Sequence, residues 1–371
     1  KLAQYDIMRG VYGLHPILLL DDVFDKLDMH RVECLMKVVS TSGFGQIVNN
    51  YARIYSAMED DELRFHFLLP RGYKSDFGPN VDCTSDWKKN GKGMPDVNLW
   101  HSTNQQQIKH SRGKCDKFVL TIHDLNYLTE KNWLRQLKHH FNRADAVTCI
   151  SKFVAGQVEE QFKLKGKPVR VIYNGVQDIS SQSEVKPTFA NERPFFFAIG
   201  QIRKKKNFHL LVDMMRNFPD YDLYICGDDH FDFARVVREH IEELPTHNAY
   251  LTGKISQQEK VWLYRHCEAF LFPSQGEGFG LPAIEAMQFG RAVFISSYTC
   301  LPEICGNCAH VWPSLNPEEM ASDIKKVLPN FYEDKERLER IRQHAAQFSY
   351  DKHISAYMDL YKELLGIKKC D

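Results

Sequence analysis

The residues of this chain best placed to do chemistry lie in one run of twelve, Ser274-Gln275-Gly276-Glu277-Gly278-Phe279-Gly280-Leu281-Pro282-Ala283-Ile284-Glu285. Its three glycines let a backbone approach a ligand closely. Pro282 suits the first turn of a helix, where a missing N–H costs nothing. Amides at a helix start have no carbonyl partner within the helix and attract anions, so the run reads as a phosphate site. Glu277 and Glu285 stand eight residues apart, one in the loop and one on the helix. Carboxylates accept hydrogen bonds from vicinal hydroxyls, so one glutamate suits a hexose and the other a ribose, with the amides on a diphosphate between them.

A second cluster is Gly200-Gln201-Ile202-Arg203-Lys204-Lys205-Lys206-Asn207, where four successive cations either sit in solvent or meet an anion. His123, in Thr121-Ile122-His123-Asp124-Leu125, ends an expected strand and can donate to a sugar or stay satisfied within the core. Gly227-Asp228-Asp229 and Thr252-Gly253-Lys254-Ile255 end further strands, where doubly wound sheets place nucleotides. No D-x-D motif stands at a strand end, so no divalent ion and no other cofactor is expected. Cys305 and Cys308 form a C-x2-C without a second pair at zinc-ribbon spacing.

The segment Gly276–Glu285 resembles the E-x7-E signature of retaining GT-B glycosyltransferases of family 4. Ile150-Ser151-Lys152, Ile172-Tyr173-Asn174-Gly175-Val176 and Leu301-Pro302-Glu303-Ile304 resemble further segments of that family in the same order. The resemblance implies that Lys206, with Arg203 or Lys205, meets the donor pyrophosphate. In the family the residue before that lysine is often Arg, whereas here it is Lys205.

By the same resemblance, Gly253, Lys254 and Ile255 border the nucleotide base. Glu277, Gly278, Phe279, Gly280, Leu281 and Glu285 hold the donor, and His123 lies near the transferred sugar. Gly43, Phe44 and Gly45 match a loop facing the diphosphate or acceptor. The implied reaction is metal-independent hexose transfer from a nucleotide-sugar to a glycan or glycolipid with retention, by front-face attack, in which Glu277 positions the sugar. Two alternatives remain open: a GT-B epimerase or phosphorylase, and a nucleotide-sugar-binding protein without turnover.

Short apolar runs alternating with amphipathic stretches are the pattern of βα units, and two such series are visible. The first has strands at Ile17–Val23, Phe65–Leu69, Val97–Trp100, Phe118–Ile122, Ala146–Cys149 and Val169–Ile172, with helices near Gln46–Ala57, Asn132–Phe141 and Lys152–Phe162. After an aperiodic Ser-, Lys- and Pro-containing stretch from Ser180 to Pro187, the second series runs from strand Phe195–Ile199 to strand Ala292–Ser296. Helices near Pro317–Leu328, Asp334–Gln347 and Asp351–Leu365 follow. The fold class expected is α/β, two Rossmann-like doubly wound domains facing a cleft. An acceptor domain occupies 1–180, a linker 181–192 and a donor domain 193–350. A C-terminal helix, 351–371, is expected to pack back toward the first domain, and its Ile354, Tyr357, Met358 and Tyr361 share one face.

At 371 residues, two domains are the natural division. Lys plus Arg equals Asp plus Glu at 48 each, which gives no bulk field for nucleic acid. The longest apolar run near the start, Ile17–Leu20, is too short for an export signal or a membrane span, and the ten cysteines are scattered as free thiols. A cytoplasmic protein is expected. Lys109, Arg112, Lys114 and Lys117 form a basic surface that either touches an anionic lipid face or, more often for such sets, is simply solvated.

Overall fold

The structure is a computed structural model and describes Leu63 and residues 66–68, 82–84, 97–105, 115–125 and 131–367. The expected strand Ile17–Val23, helix Gln46–Ala57 and loop Gly43-Phe44-Gly45 lie outside the described residues, as do Lys109, Arg112 and Lys114.

A short parallel pair joins β1 (His66–Leu68) to β2 (Asp82–Thr84). The first larger sheet is parallel throughout, with β3 (Val97–Ser102), β4 (Cys115–Ile122), β5 (Ala146–Cys149) and β6 (Val169–Val171) in sequence order. Helices α1 (Lys131–Arg143) and α2 (Lys152–Gln161) supply the crossovers after β4 and β5. Every residue of β5 is buried, as expected of a strand covered on both faces.

No helix or strand interrupts the chain between β6 and β7 (Phe195–Ile199). From there α3 (Phe208–Met214), β8 (Asp222–Cys226), α4 (Phe233–Glu242), β9 (Ala249–Gly253), α5 (Gln257–His266), β10 (Ala269–Phe272), α6 (Leu281–Gln288) and β11 (Ala292–Ile295) alternate. Then come α7 (Leu301–Cys305), β12 (His310–Val311), α8 (Pro317–Val327), α9 (Lys335–Ala345) and α10 (Tyr350–Leu365). The second large sheet has the order β12-β11-β10-β7-β8-β9, all parallel. The chain leaves β7 toward β8 and later returns on its other side as β10, so the order reverses between β7 and β10. In open parallel sheets a crevice forms beyond the carboxyl ends of the strands at such a reversal.

The expectation of two Rossmann-like sheets is met, and the C-terminal helix does cross back. Ile354, Tyr357, Met358 and Tyr361 of α10 are buried with Val119, Ala146 and Ile172 of the first sheet region. A polar cluster fastens this contact. Tyr357 Oη lies 2.9 Å from Thr121 Oγ1 and 3.0 Å from Thr148 Oγ1, while His101 bridges Tyr361 Oη at 2.6 Å and Thr121 Oγ1 at 2.7 Å. Buried hydroxyls that satisfy one another avoid the cost of desolvated polar groups and fix one register of the helix on the sheet. Strands β2 and β12 and helix α7 are elements the periodicity did not reveal, because runs of two to five residues carry too few periods to read.

Candidate active site

Two loops meet at the reversal point, Gly200–Asn207 after β7 and Pro273–Gly280 after β10. The amide of Gln275 donates to the Lys205 carbonyl at 2.8 Å, and Asn207 Nδ2 donates to the Pro273 carbonyl at 3.0 Å. Asn207 takes a left-handed conformation, φ 55°, between the turn Lys204–Lys206 and α3, which asparagine tolerates better than most residues. The lysine-rich segment is therefore a braced turn.

The four cations diverge. Lys206 Nζ pairs with Glu277 Oε1 and also lies 5.0 Å from the centre of the Phe272 ring. Lys205 runs along Gly276; burial pushes its ammonium pKa down, as does Lys206, while Glu277 and Asp124 oppose the shift. Arg203 turns away to stack on Phe231, 4.0 Å from guanidinium carbon to ring centre. Lys204 points to solvent. Lys206 and Lys205 thus face the loop that bears Glu277, while Arg203 is held on Phe231.

Helix α6 begins where the sequence places it, with Pro282 in the first turn and Gly280 at the cap in a left-handed conformation, φ 99°. A Cβ on Gly280 would stand 2.6 Å from Leu301 Cδ2, so both conformation and space select glycine there. Phe279 is buried and packs against Tyr173 and Phe348, so its ring belongs to the core and only its backbone is available to a ligand. Glu285, within the helix, is held by Lys260 Nζ at 2.8 Å and Tyr264 Oη at 2.9 Å. The two glutamates therefore have separate partners, Lys206 for one and Lys260 with Tyr264 for the other.

The first sheet meets this loop directly. The His123 carbonyl lies so close to Gly278 that a Cβ there would stand 2.1 Å from its oxygen. Ser151, the cap of α2, donates its hydroxyl to the Gly278 carbonyl at 2.9 Å and accepts from the Val154 amide. Glu303 of α7 accepts from the amides of Lys152 and Phe153 at 2.7 and 2.9 Å, so a carboxylate from the second sheet's side satisfies the start of a first-sheet helix. Ser151 and Glu303 were read from the sequence only as pieces of short motifs, since nothing local says that they meet across the cleft.

The His123 ring is 2.8 Å from the Thr103 carbonyl through Nε2, so that nitrogen carries the proton and donates. Burial lowers its pKa, with the Thr103 bond and Asp124 opposing, which keeps the imidazole neutral near pH 7. Its backbone amide donates to Gln105 Oε1, whose amide nitrogen donates to the Asp124 carbonyl. At the far end of the crevice, Gly253 has φ 75°, Ile255 is half-buried, and exposed Lys254 lies 3.4 Å from Asp228. Among the described residues, Asp228, Asp229 and His230 are one group with atoms close enough to share a cation. Each carboxylate there is already engaged by a cationic side chain of the protein, Asp228 by Lys254 and Asp229 by Arg238. Lys117 lies 3.8 Å from Asp145.

Residues 88–178 match the family described as Glycosyltransferase Family 4, and residues 180–348 match the family described as Glycosyl transferases group 1. The chain belongs to the group 1, family 4 glycosyltransferases. Similar proteins include the uncharacterized glycosyltransferase MJ1178 of Methanocaldococcus jannaschii, 25% identical over 66% of this chain and 68% of that one. The serotype-specific mannosyltransferase WbdA of Escherichia coli is 27% identical over 64% of this chain but only 31% of its own length. The O-antigen chain mannosyltransferase RfbU of Salmonella typhimurium is 25% identical over 63% and 66%.

Among solved glycosyltransferase folds, sucrose-phosphate synthase from Thermosynechococcus elongatus superposes with a TM-score of 0.61 at 20% identity, over 73% of this chain and 74% of that one. HepE of Anabaena, in complex with UDP and glucose, gives 0.58 at 17% identity, over 67% and 72%. These likenesses bear on the fold, GT-B. A stretch of 47 residues, 13% of the chain, is 53% identical to 13% of the DNA replication and repair protein RecF of Bacteroides fragilis. Among the described residues no helix is long and apolar enough to cross a membrane.

Proposed function

We propose that this glycosyltransferase moves a hexose from a nucleoside-diphosphate sugar to a glycan or glycolipid acceptor, with retention and without a metal, during assembly of a bacterial surface polysaccharide or lipopolysaccharide. The acceptor domain would be 1–180 and the donor domain 193–350, joined by 181–192, with work done at the cytoplasmic membrane face. The O-antigen and serotype-specific mannosyltransferases among its relatives support that setting and put mannose first among the sugars to try.

The observation that carries the reading is the pairing of Lys206 with Glu277 at the reversal of strand order, beside the start of α6. A donor diphosphate competes for that ammonium and for the helix-start amides, which frees Glu277 to accept from sugar hydroxyls. The anomeric C–O bond to phosphate breaks as the acceptor oxygen bonds to the same face. The acceptor's proton passes to the departing phosphate oxygen. Lys206, with Lys205 beside it, stabilises the negative charge that develops, the role a divalent ion plays elsewhere. Neutral His123 lies beside Gly278, where its position suits contact with the sugar.

Removing one preorganised donor to a developing anion costs about 10²–10³ in rate. Lys206→Ala should therefore lower kcat by more than about tenfold with the melting temperature preserved, measured by transfer from a radiolabelled donor chosen by thermal shift against a nucleotide-sugar panel. Full activity in that variant removes Lys206 from the reaction. Transfer should also survive EDTA; loss that Mn²⁺ or Mg²⁺ restores refutes the metal-free mechanism.

A further inference from the structure

Glu285 is held from behind by two residues that no sequence motif pointed to. Lys260 and Tyr264 lie four residues apart on α5, hence on one face of the helix, and each takes a different oxygen of the Glu285 carboxylate. The helix is fixed at its start by a capping box, in which Ser256 and Glu259 exchange hydrogen bonds with each other's backbone. The Tyr264 ring is wholly buried among Phe197, Phe270 and Phe289, with ring centres 5.0, 5.4 and 5.9 Å away. Burial and Glu285 both push its phenol pKa well up, so it remains a donor. Lys260 is itself buried, an unusual place for a lysine unless it is paired.

We infer that Lys260 and Tyr264 are positioning residues that fix Glu285 as a two-pronged acceptor, and that this clamp makes the site select a ribonucleotide over its deoxy counterpart. The inference rests on the donor reading above and adds to it the origin of sugar selectivity on the nucleotide side. An ionised carboxylate has about four acceptor positions, two on each oxygen. Lys260 occupies one on Oε1 and Tyr264 one on Oε2, which leaves one on each oxygen for the two hydroxyls of a vicinal diol. With both rear positions tied, the carboxylate cannot swing to follow a ligand lacking one hydroxyl, and an acceptor position left unpaired is a penalty. Sites built to bond a hydroxyl reject analogues that lack it far more strongly than sites that merely accommodate it. Without the clamp, Glu285 turns to water and the preference shrinks.

The test is calorimetric, on the full chain, with UDP, GDP and ADP, the 2′-deoxy form of each, and inorganic pyrophosphate as a probe of the phosphate loops alone. Wild type should bind its preferred ribonucleotide at least about tenfold more tightly than the 2′-deoxy form. Lys260→Met should bring the two within about threefold, chiefly by weakening the ribonucleotide, and raise the donor KM far more than it lowers kcat, with pyrophosphate affinity unchanged. Tyr264→Phe, which keeps the ring and removes only the hydroxyl, should shift the ratio the same way and decides the matter if the lysine variant does not fold. If both folded variants keep the wild-type ratio, the clamp does not set selectivity and this inference fails alone. If folded wild type binds pyrophosphate but none of the nucleotides, the donor reading fails and takes the inference with it.

Discussion

Gly278→Ala is the substitution that most directly probes how the two sheets meet. The added Cβ would stand 2.1 Å from the His123 carbonyl oxygen, 3.2 Å from its carbon and 3.3 Å from Ile150 Cδ1. The nearest obstacle is backbone at the end of β4, which cannot rotate aside as a side chain does. Reaching ordinary contact therefore requires the Pro273–Gly280 loop and the His123 strand end to part by roughly 1 Å. Separating them also strains the Ser151 bond to the Gly278 carbonyl. A misplacement of about 1 Å at a reacting centre costs on the order of 10²-fold.

The expected result is a kcat about a hundredfold lower. Nucleoside-diphosphate affinity should stay within about threefold, because Lys206, Glu285 and the α6 start all belong to the second sheet's side and move together. The clash is relieved by parting two surfaces, so the melting temperature should fall by no more than about 3 °C. Steady-state transfer, calorimetry of nucleotide binding and a thermal melt read the three quantities. Transfer within about threefold of wild type in a folded Gly278→Ala protein would refute the reasoning, since the close approach would then be irrelevant to the working geometry.

Two stability predictions follow from other parts of the molecule. Burial pulls His101 down to about 3, with His353 and His123 adding to the shift. Burial likewise pulls His353 down to about 4, against the opposing bond to the Tyr173 carbonyl. Both are neutral when folded and gain protons near pH 6.5 when unfolded, so the stability they add is complete above pH 6.5 and is lost as pH falls toward 4 and 3. Each should contribute about 1.4 kcal/mol per pH unit over that window, and urea unfolding of wild type and His353→Gln between pH 7 and 5 should differ by about one proton in slope; equal slopes would contradict it. Gly156, inside α2, has nothing within 4 Å of an added Cβ. Gly156→Ala should therefore raise stability by about 0.5–1 kcal/mol in urea unfolding, and a loss would mean that the helix is packed differently.

The sequence alone determined the alternation of strand and helix from Val97 onward and the position of both loops. It also determined the start of α6, because glycine spacing, proline placement and apolar period act within a few residues of one another. It named Glu277, Glu285 and Lys206, but left open which of Arg203 and Lys205 accompanies Lys206. Tertiary structure turned Lys205 along Gly276 and Arg203 onto Phe231. It also moved the Phe279 ring into the core and brought in Lys260, Tyr264, Ser151 and Glu303, whose partners lie 21 to 151 residues away. Such pairings depend on how a parallel sheet orders its strands and how two sheets face, and those are set by packing across the whole chain rather than by any local pattern.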